Sequence, residues 1–494
     1  MNKNKKIFII VAIVILLLLV GLICYFVLNK EEKGSTAVGE IDSTINVDDY
    51  DIDWDSYTSH EVSSDENGVN ITESGIYTLT GEINGQVVVN TSGNVKLILD
   101  NVSIKSSNGP CILVKEASNV VISTTSGSTN VLEDSTNYSG FEEEDATIYS
   151  HDDLIFEGSG TLKITSNYQD AIASSDDLSF TSGIYVINSS DDAIRGKDSV
   201  HITGGDFTIV SFSDGIKSTN DTESDKGNIL IEDGTFNIET SFDGIQAYNK
   251  VVINNGTFTI KTGGGNTVTT TKSNFGRFEN NTSSTSDESN KGIKAGSNIV
   301  INGGTLDINS LDDGIHSNGS IQVNSGNITI SSGDDGIHAD GMVNIKGGTL
   351  NIIAQEGIEA TFVKIEDGKI TIGASDDGIN AGNKSSDYSV KIEITGGDIT
   401  INMGQGDTDG IDSNGDLLIS GGTINITGQS PFDYDGTVSF TGGTLIVNGQ
   451  ETKTITNQQM GGGMGGHGNM GQGNMGDPSQ GMQDRPQGGR GGRR

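Results

Sequence analysis

The chain has 494 residues and a formal charge of −38, from 67 acidic and 29 basic side chains. That balance excludes nucleic acid as a partner of the body. Hydrophobic residues at 33 %, 70 Gly and only 4 Pro fit a narrow fold with many tight corners, where Gly and Asn accept positive φ.

Residues 7–28 (IFIIVAIVILLLLVGLICYFVL) are uninterrupted and apolar, long enough to cross a bilayer once. Lys3, Lys5 and Lys6 precede them, so the expected topology leaves a cytoplasmic stub and exports the body. The stretch is long for a signal peptide and no small-x-small site follows. The expectation is therefore an uncleaved single-pass anchor within residues 1–33, with a cleaved signal peptide as the alternative. Cys24 falls in that segment and Cys111 is alone in the body, so no internal disulfide is expected. Residues 34–68 are polar and acidic and read as a stalk or linker into the first coil. They hold Trp54, the one Trp of the chain.

From about residue 69 to 451 the chain is repetitive. Tyr77 to Ser123 contains strand-like runs that read as leading coils. A tripeptide then recurs: DAI at Asp170 and Asp192, and DGI at Asp214, Asp243, Asp313, Asp335, Asp377 and Asp409. KGI at Lys291 and EGI at Glu356 fill two more slots. The steps are 22, 22, 29, 48, 22, 22, 21, 21 and 32 residues. A near-constant period of this size marks a stacked solenoid. A second motif keeps the same period: GGDFTI at 204, GGTLDI at 303, GGTLNI at 347, GGDITI at 396 and GGTINI at 421. With a third short run between them, each repeat holds three segments of period-two alternation. Three strands in about 22 residues predict an all-β, right-handed parallel β-helix whose coils bury their apolar faces only by stacking. Loops interrupt the period at 218–228, 262–290, 383–389 and 403–408; Phe275 and Phe278 in the longest are candidate sugar platforms. Residues 452–494, rich in Gly, Met and Gln with a basic end, read as a flexible tail.

The period stacks acids in a column. Several corners double them: Asp191–Asp192, Asp312–Asp313, Asp334–Asp335 and Asp376–Asp377. Carboxylates one coil apart, about 4.8 Å, repel by roughly 0.9 kcal/mol in bulk water and about 3.5 kcal/mol at an effective dielectric of 20. Bridging cations would relieve that repulsion, and Ca²⁺ accepts oxygen ligands in flexible geometry. The candidate metal residues are these eight together with Asp214, Asp243 and Asp409. The competing reading gives these Asp residues only turn-capping roles. Two positions after the motif Gly a second column runs Arg195, Lys217, Gln246, Lys294, His316, His338, Glu359, Asn380 and Asp412. Its cations either compensate the acids or meet the carboxylates of an acidic polysaccharide. The candidate glycan contacts are Arg195, Lys217, Lys294, His316 and His338. His316 and His338 are also spaced to stack within reach of a transition metal, a weak signal with no fixed further ligands.

These corners (S-x-DDGI-x-[AS]), the GG-T-[LI]-x-I strands, the period and the export segment together resemble a bacterial cell-surface family of carbohydrate-binding parallel β-helices of pectate-lyase-like architecture. The resemblance covers about 140–450. It implies Ca²⁺ at the doubled corners and association with plant cell-wall glycans such as cellulose and polygalacturonate. It does not carry an ion to the coils of Lys291 and Glu356, which depart from the pattern.

Three functions compete. The first is calcium-dependent, non-catalytic binding of acidic or cellulosic polysaccharide at the cell surface. The second is a Ca²⁺-stiffened spacer or adhesin. The third is a Ca²⁺-dependent pectate-type lyase, with Asp191 and Asp192 holding the ion and Arg195 or Lys197 as base. Near-equivalent repetition of the corners favours a ligand track or ion ladder over a unique active site.

Overall fold

Alternation sets the strands, and the period sets their stacking. The computed structural model describes residues 41–47, 50–62, 68–266, 289–404 and 408–457. In a typical coil the strands are Ile194–Gly196, Ser199–Ile202 and Asp206–Ser211. Each pairs in parallel with its counterpart one coil on: Ile216–Ser218, Asn228–Ile231 and Thr235–Thr240. Three parallel ladders repeat in this way along the described body, so the expected β-solenoid forms. Leading coils within Tyr77–Ser123 are part of it, since Gly75–Asn84 pairs with Val95–Lys105. At the far end an antiparallel hairpin joins Thr444–Val447 to Gln450–Thr452. Asn457 Nδ2 then donates to the Tyr434 carbonyl at 2.9 Å. Residues 452–457 therefore belong to the body, and the rest of the expected tail lies outside the described residues.

The interior is a set of columns. Third-ladder strands such as Thr235–Thr240 alternate exposed and buried residues at every position. Tyr185, Phe207, Phe236 and Phe258 stack face to face at 4.6–4.9 Å between ring centroids. Ile194, Ile216, Ile245, Ile293, Ile315 and Ile337 are fully buried behind the corners, each worth about 1.5–3 kcal/mol of burial.

The glycines of the two motifs have different causes. At the GG corner, Gly348 has φ +95°, which a side chain would strain. In DGI, Gly336 has ordinary φ, but a Cβ there would lie 2.3 Å from Ile352 Cγ2 and 2.5 Å from the Gly357 carbonyl oxygen. Adjacent coils approach too closely at that corner for a methyl group.

The described parts of the acidic segment before the helix do not stand off as a stalk. Ile41 is buried in one cluster with Leu230, Val252, Val300, Met342 and Phe362, residues on the outer face of the second ladder. Asp42 pairs with Lys250 at 2.6 Å. Farther along, Asn94 Nδ2 donates to Tyr57 Oη, and Ser59–Glu61 pairs in parallel with Ile76–Thr78. The described parts of this strap thus lie over the second ladder and enter the first coil from outside. The physical reason is the ladder itself, whose outward Leu230, Val252 and Val300 need cover.

Among the described residues no helix is long and apolar enough to cross a membrane. The expected anchor at 7–28, and Phe275 and Phe278, lie outside the described residues.

Candidate functional site

The constant register makes the two expected columns real neighbours. Arg195 lies opposite Lys217, then Gln246, Lys294, His316, His338, Glu359, Asn380, Asp412 and Asp433 in successive coils. The acids stack beside them. Asp192, Asp214, Asp243, Asp313 and Asp335 are nearly fully buried, as is Asp170, which heads the column. Their outer companions are more open: Asp191, Asp312 and Asp376 are half-buried and Asp334 is exposed.

Most of the buried carboxylates divide their oxygens between two tasks. Oδ1 accepts the backbone N–H of the corner residue one coil on. Asp192 N–H donates to Asp170 at 3.0 Å, Asp214 to Asp192 at 2.9 Å and Asp243 to Asp214 at 2.8 Å. Lys291 donates to Asp243 at 2.7 Å, Asp335 to Asp313 at 3.1 Å and Asp409 to Asp377 at 3.0 Å. Oδ2 meets the basic column. Arg195 Nε binds Asp170 at 2.5 Å, and its other arm binds Asp145 at 2.6 Å. Lys217 sits between Asp192 and Asp214 at 3.1 and 2.8 Å. Lys294 reaches Asp243 at 3.3 Å. His316 and His338 contact Asp313 and Asp335 through Nδ1 at 2.8 and 2.6 Å.

These contacts give most corner acids both the turn-capping role and charge compensation. The five expected glycan contacts all meet carboxylates here, with side chains 12–25 % exposed. Lys291 places its ammonium 2.8 and 2.7 Å from Asp312 and Asp313, so this doubled corner already holds a cation. Arg195 is a fixed cation between two carboxylates, and Asp192 takes Lys217 as its cation while Lys197 is exposed.

His316 and His338 do stack, at 4.8 Å. Burial alone would depress His338, but hydrogen bonds to Asp335 and Glu359 override it and raise its pKa to about 10. Glu359, bonded to His338 and Lys384, is held near 2 against the effect of its burial.

Beyond Glu359 the second column changes sign. Asn380, Asp412 and Asp433 replace the cations, beside Asp376, Asp377 and Asp409. Burial, then the charges of Asp377, Asp409, Asp433 and Asp435, raise Asp412 to about 7. Burial and Glu359 raise Glu356 to about 8. Asn380 Oδ1 and Asp433 Oδ1 are buried without a hydrogen-bond partner. Among the described residues this end of the column is rich in oxygen ligands and poor in cations. Among the described residues, carboxylate oxygens within 4.8 Å of one another gather elsewhere: at Asp170, Asp191 and Asp192, at Asp312, Asp313 and Asp334, and at Asp153, Asp176 and Asp177.

Asp170, Asp412 and Asp433 were not singled out as ligands by sequence. Asp170 carries the DAI form of the motif and Asp412 falls in the second column, so a signal existed for both. Asp433 follows Pro431 in a coil without the motif and gave none.

The family described as "Carbohydrate-binding domain-containing protein" matches residues 65–336 and 334–466. A protein of the same description from Acetivibrio thermocellus is 33 % identical over 159 residues, 31 % of this chain and 55 % of the relative. The chain thus spans about half the length of that curated relative. A solved structure described as a polysaccharide lyase-like protein from C. thermocellum, gadolinium derivative, is 26 % identical, with a TM-score of 0.40, covering 53 % of this chain and 89 % of that one. Since the family match extends through most of the solenoid, the chain belongs to the carbohydrate-binding domain-containing proteins.

Proposed function

We propose that this protein binds polysaccharide, without cleaving it, through Ca²⁺ held at the acidic corners and displayed at the cell surface. The observation that carries the reading is the sign change in the second column. From Arg195 to His338 the buried acids have protein cations. From Asn380 to Asp433 acids face acids, and two buried oxygens have no partner. A hard cation fits that donor set of carboxylates and an amide oxygen. Asp377, Asn380, Asp409, Asp412 and Asp433 would hold it, with Asp376 at the rim. Bound Ca²⁺ supplies a charge that can also take carboxylate or hydroxyl oxygens of a glycan. Acidic chains such as polygalacturonate suit such a bridge best. Display at the surface follows from the apolar stretch at 7–28 and the lysines before it.

The test is calorimetric titration of Ca²⁺ into the metal-free protein and into a triple variant, Asp377→Asn, Asp409→Asn and Asp412→Asn. The tightest Ca²⁺ event should disappear in the variant, and polygalacturonate retention should fall with it. Unchanged Ca²⁺ binding would remove this end of the column as the site. Lost Ca²⁺ binding with intact retention would leave the ion a stiffening role only.

A further inference from the structure

Repeat positions contain no Trp, yet the fold carries Trp54 onto the repeats. In the second ladder, Val121, Ile155, Ser179 and His201 stand opposite one another in successive coils and face outward. Farther along, the same outer column becomes Leu230, Val252 and Val300, which pack with Ile41 of the strap. At the coils of Ile155 to His201 the strap leaves a cleft of about 470 Å³ between Tyr50 and Trp54 on one side and the ladder on the other. That lies in the range of small-ligand sites, about 300–1,000 Å³.

The lining has the chemistry of a sugar site. Trp54 is half-buried and braced by Tyr57 at 5.0 Å and by Lys96 Nζ at 5.5 Å from its ring. An indole face is electron-rich and takes the slightly positive C–H face of a pyranose ring. Across the cleft, His201 Nε2 is buried with no hydrogen-bond partner. Burial lowers the His201 pKa, so the imidazole is neutral at pH 7 and its free nitrogen suits a hydroxyl. Thr181 and Thr203 add hydroxyls at the rim. Asp51 and Glu157 also line the cleft, and Glu157 is already paired with Lys96 at 2.5 Å. Carboxylates there accept hydroxyl protons and repel a uronate.

We infer that this cleft is a second glycan subsite, which stacks a neutral pyranose unit on Trp54 and hydrogen-bonds it through His201. It rests on the carbohydrate-binding reading of the family, but it needs no Ca²⁺ and lies apart from the acidic corners.

Because Trp54 is the single Trp of the chain, its fluorescence reports this cleft alone. The protein is titrated with cellotetraose, xylotetraose, mannotetraose and tetragalacturonate, each in Ca²⁺ and in EDTA. At least one neutral oligosaccharide should give a saturable change in emission that EDTA does not abolish, and tetragalacturonate should give none. His201→Gln should weaken that ligand about five- to tenfold with unchanged melting temperature. Trp54→Phe, followed by calorimetry, should weaken it with the solenoid intact. Silent emission with all three neutral sugars, while sedimentation shows the same protein retained on polysaccharide, overturns the subsite and leaves the corner reading standing. Absence of glycan binding by either readout overturns both.

Discussion

Asp214 shows why the corner acid is Asp and not merely polar. Its Oδ1 takes the Asp243 N–H of the next coil at 2.8 Å, and its Oδ2 takes Lys217 at 2.8 Å. Asp214→Asn keeps the acceptor and loses the ion pair. Asp214→Ala loses both and leaves a buried N–H unsatisfied, with Lys217 held by Asp192 alone. The alanine variant should lose about 1–3 kcal/mol in denaturant unfolding. The asparagine variant should lose little at pH 7, because burial and Asp192 raise the Asp214 pKa to about 6 and offset the lost pair with Lys217. Equal losses would contradict the division of labour. At Asp412 the same penalty stands without a cation such as Lys217 among its causes. Its folded pKa is raised to about 7 from 3.8, so in the absence of metal its charge opposes folding. That penalty is absent below pH 4, grows through pH 7 and is complete above it. Asp412→Asn should therefore stabilise the metal-free protein at pH 8, by about 1–2 kcal/mol after allowance for partial exposure, and change little at pH 4. A pH series of thermal melts checks the sign. The residues of both columns were legible because a constant period converts counting into contact. Which oxygen pairs with which cation was not legible, since burial and side-chain reach decide that.

At the scale of elements, the strands and their stacking could be read from alternation and spacing, but the strap could not. Residues 41–62 carry no repeat, and their partners lie far along the chain, such as Lys250 for Asp42. An acidic composition suggested a solvated linker, whereas a few apolar residues, Ile41 and Ile45 among them, dock it on the outward face of Leu230, Val252 and Val300. Ile41→Asp should undo that docking, because it buries a charge among aliphatic side chains. Amide exchange should then rise for the strap and the outer second ladder, with a global loss of about 1–3 kcal/mol. Exchange confined to the strap, with no change at Leu230 to Val300, would mean that the ladder does not depend on its cover.

For the whole molecule, the chain's net charge is −38, and the solenoid answers its corner acids with protein cations in the middle coils. Arg195, Lys217, Lys291, Lys294 and His338 each sit against buried acids. Among the described residues the later coils carry no such series, and the proposed Ca²⁺ and, through it, the glycan belong there. The most direct measurement is retention of the full protein on immobilised polygalacturonate, in Ca²⁺ and after its removal with EDTA. Retention in Ca²⁺, release in EDTA and recovery when Ca²⁺ is restored are the expected outcome. Equal retention in EDTA would contradict it.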